Sequence, residues 1–316
     1  DKGFCLYDHL TKKIKTTAAI NGWNHGQINS MIVDDNTLWI ATQLHGLLKY
    51  NISTDSISTV KETGEFLSIK NLLKDNQGNI WLTSTEWGLI RTPGETLKLF
   101  PLTDPPIFEH IHTILSDKEG NIWVNDEDNR IVKYSLKNGI YLPHKITLNG
   151  LTEKTDITSL YLDEFGNIWI GTMGKGIYIL DPKTEKYRVF TENEVFKNAS
   201  VLSINGRHNS IFASSLQGVM VVTVSEINKN IAVPYRFKNY NNSSTGTNYV
   251  YSIFQDSRNR IWFATDGRGL TMLDNNNFTY YNDSKKINDD HIYSITEDKR
   301  GNIWFSTASA GLYKFD

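Results

Sequence analysis

The chain of 316 residues contains a single cysteine, Cys5, so no disulfide can close within it. A lone thiol fits a reducing compartment, and it fits equally an exported protein that does without bridges. The sequence also lacks an excess of either charge. With 33 Lys and Arg against 35 Asp and Glu, its formal net charge is −2. A general polyanion-binding surface needs a clear cationic excess, so nucleic acid is not an expected partner. No apolar run approaches the roughly eighteen residues of a bilayer span, and this segment is not expected to insert into a membrane. The first residues, "DKGFCLYD", have no signal-peptide character. No ten-residue stretch has a convincing helical period.

What is present is a repeat. "DEFGNIWIGT" at 163 has close copies in "DNQGNIWLTS" at 75, "DKEGNIWVND" at 117, "DSRNRIWFAT" at 256 and "DKRGNIWFST" at 298, with a shorter form, "DDNTLWIAT", at 34. The Trp positions are 39, 81, 123, 169, 262 and 304, and Ile211 in "NGRHNSIFASSLQG" fills the long gap as a seventh, degenerate copy. The spacings are then 42, 42, 46, 42, 51 and 42 residues. A period of this length indicates a propeller or a helical array. Each unit contains four short segments rich in Ile, Trp, Tyr, Phe and Thr, alternating with period two and bounded by Gly, Asn and Asp. Four strands per unit make one propeller blade. The expected fold is all-β, a seven-bladed propeller of four-stranded antiparallel blades forming one domain over residues 1–316.

The repeated residues read as architecture. Asp and Gly of "DxxGN" suit the tight hairpin between the first two strands, where Asp bonds its own turn and Gly or Asn takes φ > 0. The Trp that follows can fill the space between blades. A Gly seven residues after it (Gly46, Gly88, Gly176, Gly218, Gly269, Gly311) restarts the chain after a short loop. The ends resemble each other: "GFCLYD" at 3–8 matches "GLYKFD" at 311–316. Both read as third strands and "KIKTT" at 13–17 as a fourth, so the ring is expected to close by pairing of the two terminal segments, with one third-strand segment left over. Because the chain starts inside a repeat, it is expected to be a segment of a longer, multi-domain receptor.

The unit "D-x-x-G-N-I-W-I-G-T-x-x-x-G-[IL]" resembles the two-component regulator propeller repeat, and the resemblance covers essentially the whole chain. It implies a periplasmic sensor region of a hybrid two-component system, with oligosaccharides released from a glycan as the ligand class. It implies no enzymatic activity and no cofactor. The partners it implies are neighbouring domains of the same receptor and a second copy of the chain. At the level of "G-N-I-W-F" the repeat is also similar to virginiamycin-B-lyase-like propellers, metal-dependent enzymes that use His and Glu. His25 and His291 are the histidines in suitable loops, but no His/Glu set recurs at a matching spacing. A third reading is a protein-interaction scaffold.

The "DxxGN" turns should all lie on one face, and the second-to-third-strand loops and blade-to-blade links on the other. Variable loops on a rigid scaffold are where function usually sits. Sugar recognition needs an aromatic platform with polar groups for the hydroxyls. The candidate ligand-binding residues on that face are Trp23, His25, Trp87, Asp126, Arg130, Lys175, Asp266 and Arg268. Each also has a plainer reading: a loop Trp packing on its own blade, or a solvated charge of little energetic worth. Asp126, Glu127 and Asp128 lack the ligand rhythm of a Ca²⁺ loop, so no metal site is expected there.

Overall fold

The computed structural model describes residues 5–8, 13–16, 27–54, 56–63, 68–92, 100–101, 111–125, 130–151, 155–190, 196–207, 210–216, 218–223, 236–240, 249–275, 277–281, 291–308 and 312–315. It is a seven-bladed β-propeller of antiparallel blades. Blades 1 to 6 are four-stranded sheets and blade 7 has three hydrogen-bonded strands. Blade 4 shows the common plan: Ile157–Leu162, Ile168–Thr172, Ile177–Leu180 and Tyr187–Val189, ordered in the sheet as in the chain. Among the described residues the one helical element is a 3-10 turn, Lys61–Thr63, and no helix is long and apolar enough to cross a membrane.

The residues fall into two compact units, Ile111–Gln255 and Asp1–His110 with Asp256–Asp316. Within each, the core lies between blades. Trp123 packs on Ile157, Ile168 and Ile170 of the next blade, and Trp169 packs on Val201, Ile204 and Ile211. In the other unit Trp304 meets Ile28, Met31 and Ile40, and Trp39 meets Ile69, Ile80 and Leu82. All six repeat Trp residues are buried, and Ile211, which stands in for the seventh, is 2% exposed.

The "DxxGN" turns are tighter constructions than the alternation alone implies. In blade 4, Asp163 Oδ1 accepts the backbone N–H of Asn167 at 2.8 Å, while Oδ2 accepts Asn167 Nδ2 at 3.1 Å and the indole N–H of Trp169 at 2.9 Å. The same carboxylate-to-indole bond joins Asp75 to Trp81, Asp117 to Trp123, Asp256 to Trp262 and Asp298 to Trp304. One buried carboxylate thus closes the hairpin and fixes the core aromatic that follows it. Gly166 takes φ 90° in this turn, and Asn259 takes φ 63° where blade 6 has no Gly. Neighbouring turns are also braced: Lys118 Nζ donates to Glu164 O at 2.7 Å, and Lys299 pairs with Asp35.

The ends differ in detail from the sequence expectation. Cys5–Asp8 and Lys13–Thr16 form a hairpin of their own. Cys5–Asp8 lies alongside Leu312–Phe315, the last strand of blade 7. The segment read as a spare third strand therefore flanks the outer strand of blade 7, as part of its own two-stranded sheet.

Candidate functional site

The loop face is set by a recurring backbone bond. In blades 1, 4, 5 and 7 the residue just after the second strand donates its N–H to the carbonyl of the link that precedes the first strand. Gln43 donates to Gln27 O, Met173 to Asp156 O, Leu216 to Ser200 O and Ala308 to His291 O, at 2.8 to 3.2 Å. Loops and links therefore share one face, as the repeat predicts. A second device closes the loops of blades 1, 4 and 6 from below: Thr42, Thr172 and Thr265 donate their hydroxyls to the carbonyls of Gly46, Gly176 and Gly269. Gly176 has no alternative, because a Cβ there would lie 2.4 Å from Phe196 O at φ 71°. Blade 3, which departs most from the repeat, has Asn125 where blade 4 has Gly171. Asn125 Oδ1 accepts from His112 N, Thr113 N and Thr113 Oγ1, so it ties down the link.

With the loops held this way, their tips project. Leu44, Trp87, Met173, Leu216 and Tyr249 are all exposed, by 36% to 49%. Most large exposed apolar side chains of the described residues are thus loop or link residues of this face. Alternation within strands could not reveal this, because it concerns residues outside the strands.

Trp87 tops the loop of blade 2. Its backbone N–H donates to Ser84 Oγ at 3.2 Å, which shapes the turn and leaves the indole exposed. Glu86 beside it accepts from Ser84 Oγ at 2.9 Å. Burial pushes the Glu86 carboxyl up, but hydrogen bonds from Thr85, Ser84 and backbone amides outweigh it and hold the group below the usual range. A flat ring with a fixed carboxylate next to it is a stacking platform with an acceptor. In blade 6, Asp266 and Arg268 share one loop, and Asp266 Oδ1 lies 3.3 Å from His291 Nε2 on the adjoining link. Gly267 between them takes φ 76°, and a Cβ there would come within 3.8 Å of the same imidazole nitrogen.

The sequence candidates thus separate. Trp87, Asp266 and Arg268 belong to one unit, and Arg130 and Lys175 to the other. Arg130 is half-buried immediately before the strand Ile131–Lys137, and Lys175 is exposed at its loop tip. Trp23, His25 and Asp126 lie outside the described residues. Glu86, His291 and the apolar tips Leu44, Met173, Leu216 and Tyr249 were not among the sugar-site candidates. Among the described residues, no group of three or more His, Cys, Asp or Glu is placed to hold a metal ion.

Comparison with known proteins agrees with the repeat. The two-component regulator propeller family matches residues 150–174, 245–267 and 286–309, so these are two-component regulator propeller repeats. No curated protein matches the chain. Among solved structures, the extracellular domain of a hybrid two-component system from B. thetaiotaomicron superposes with a TM-score of 0.76 at 20% identity. That match covers 95% of this chain, which spans 40% of the length of the other. A streptogramin B lyase matches with a TM-score of 0.70 at 14% identity, over 92% of this chain and 93% of the lyase. Virginiamycin B lyase from Staphylococcus aureus, in a catalytically inactive form with quinupristin, gives 0.68 at 15% over 90% and 93%. At these identities the structural likenesses speak for the fold alone.

Proposed function

We propose that this chain, whose repeats are those of two-component regulator propellers, is the extracytoplasmic sensing propeller of a hybrid two-component receptor. Its ligands are oligosaccharides released from a glycan, and it carries out no chemistry of its own. The observation behind this reading is the contrast between the two faces. On one, buried carboxylates spend their hydrogen-bonding capacity on Trp residues and turns. On the other, unlike loops project Trp87, Arg268 and Lys175 from a scaffold held by repeated backbone bonds. A pyranose ring presents an apolar face that stacks on an indole and hydroxyls that seek charged and amide groups. Trp87 with Glu86, and Asp266 with Arg268, offer those two kinds of contact. In such a receptor the chain works in the periplasm, beside further domains and beside a second copy of itself.

The test is calorimetry of the longest soluble receptor fragment containing this chain, titrated with a panel of glycan oligosaccharides. Binding that weakens on replacement of Trp87, Arg130 and Arg268 by Ala supports the reading. Binding that survives the triple replacement removes this face. Tight binding to a protein partner with none to any oligosaccharide favours a scaffold. The His291–Asp266 pair gives the lyase-like alternative its foothold, and turnover that stops on adding a chelator would overturn the non-enzyme reading.

A further inference from the structure

The outer hairpin of blade 3 is built unlike the others. Its strands, Ile131–Lys137 and Ile140–Ile146, pair over seven positions, from Lys137↔Ile140 to Ile131↔Ile146. The corresponding pairing covers four positions in blade 1, three in blade 4 and five in blades 5 and 6. A two-residue turn, Asn138 at φ 52° and Gly139 at φ 80°, caps the ribbon on the side of the "DxxGN" turns. The extra rungs carry Leu136, Ile140 and Leu142, which are 42%, 63% and 47% exposed. Successive rungs face opposite ways, so Leu136 lies on one side of the ribbon and Ile140 and Leu142 on the other.

The free edge of this ribbon is blocked. The pair flanking a two-residue turn is hydrogen-bonded, and the alternation then makes Tyr134↔Pro143 a non-bonded pair, whose backbone N–H groups point away from the partner strand. At that outward position Pro143 has no N–H to offer, which discourages addition of another strand. The ribbon is also one-sided in charge. Residues 131–146 include Lys133, Lys137, His144 and Lys145 and no Asp or Glu. His144 Nε2 reaches Glu185 at 3.1 Å and so brings the neighbouring turn of blade 4 alongside, with its exposed Lys183 and Lys186. The other acid of that turn, Asp181, is occupied by Lys183 N and Thr184 Oγ1.

We propose that this hairpin docks on an anionic lipid surface. Its apolar tip enters the headgroup layer and the flanking lysines meet lipid phosphates. A protein groove would have to enclose both sides of the ribbon, and the blocked edge removes the strand-addition route by which proteins commonly take up such an element. A bilayer closes around a projecting tip from all sides. The contact is peripheral, unlike insertion of a span, and it weakens as salt screens the lysines.

The experiment is sedimentation of the 316-residue chain with vesicles of phosphatidylglycerol and phosphatidylcholine, against phosphatidylcholine alone. Binding is expected only to the anionic vesicles and should fall as salt rises. Ile140→Ser with Leu142→Ser should lower the partition coefficient about tenfold, as removal of buried apolar groups from an interface does. Lys137→Glu with Lys183→Glu should abolish the preference for anionic lipid. These positions are exposed, so melting temperatures should stay within a degree or two of the parent, in keeping with surface substitutions. Equal partition into neutral vesicles, no binding to anionic ones, or binding that ignores both double variants would overturn the proposal. Capture of an acidic protein partner with no vesicle binding would overturn it as well, and would assign the hairpin to a protein surface. None of these readouts involves a glycan.

Discussion

Trp169 donates its indole N–H to Asp163 Oδ2 across 2.9 Å, and both residues are buried. Asp and Trp stand six residues apart here and in the four other blades that make this bond. Blade 1 breaks the rule. Its turn is one residue shorter, Asp34 precedes Trp39 by five, and Trp39 Nε1 is buried with no hydrogen-bond partner among the described residues. Lys49 sits 4.4 Å from the centre of that ring, so the indole keeps a cation on its face while its N–H is left unmet.

Replacing each of these Trp residues by Phe therefore separates the bond from the packing. Both changes remove similar volume. Trp169→Phe in addition strips a donor from a buried carboxylate, a penalty of about 1–3 kcal/mol. Trp39→Phe removes a donor that has no acceptor among the described residues. Denaturant unfolding should show the larger loss at Trp169, and equal losses would mean that the Asp163 bond contributes nothing net.

The bond also shows how far the sequence could be read. The Trp spacing carries the blade count, because each blade needs one large side chain toward its neighbour; Ile211 does that job in blade 5 and is buried like the Trp residues. The six-residue Asp-to-Trp interval was visible too, but alternation does not say that a carboxylate will turn inward to meet an indole. The place of Cys5–Asp8 was misread because likeness to "GLYKFD" speaks for strand character and not for position in a sheet. Arg130 and Asn125 show the limit on the loop face: an unusual loop looked functional, and part of its difference is that Asn125 anchors the link at 112–113.

Glycine in the loops gives a sharp contrast within three residues. Gly174 and Gly176 both have positive φ, but a Cβ on Gly174 meets nothing within 4 Å, while on Gly176 it meets two backbone carbonyls at 2.4 and 2.8 Å. Gly174→Ala should cost about 1–2 kcal/mol, the left-handed backbone penalty for an L residue. Gly176→Ala should cost more, since the Phe196–Lys197 backbone must move. Thermal unfolding of the two variants checks the order, and a milder effect at Gly176 would contradict the contact.

Acid should release the clamp in blade 7. Burial pushes the Asp298 carboxyl up, but hydrogen bonds from Trp304, Asn302 and backbone amides outweigh it and hold the group below its ordinary value. A folded-state pKa below the unfolded one gives stability that is present above the unfolded pKa, near about 4, and is lost as pH falls through the folded value. Asp298→Asn should weaken the protein at neutral pH, because an amide cannot accept every bond the carboxylate takes. It should also flatten the decline in stability below about pH 4, the range where an unfolded Asp titrates. An unchanged acid profile in the variant would show that this carboxylate is not linked to folding.

Closure at the ends is tested by deleting residues 1–17. Cys5–Asp8 runs beside Leu312–Phe315, and its removal leaves that strand as an open edge. The melting temperature should fall by several degrees, about 2–4 °C for each kcal/mol lost in a chain of 150–250 residues and somewhat less for a longer one. A parent-like melting curve would mean that the terminal hairpin adds nothing to the ring.

Two tryptophans of one blade bring stability and recognition apart. Trp81 is fully buried, donates to Asp75 at 2.7 Å and has Arg91 over its ring. Trp87, six residues on, is 43% exposed at the tip of the next loop. Trp81→Ala should cost about 3–5 kcal/mol, the range for truncating a buried aromatic. Trp87→Ala should stay within about 0.5 kcal/mol of the parent, as surface substitutions do. If the loop face carries the ligand site, only the second variant combines parent-like unfolding with lost affinity in calorimetry. The reverse pattern, in which Trp87→Ala unfolds early and still binds, would return Trp87 to the packing of its own blade and leave the platform without its ring.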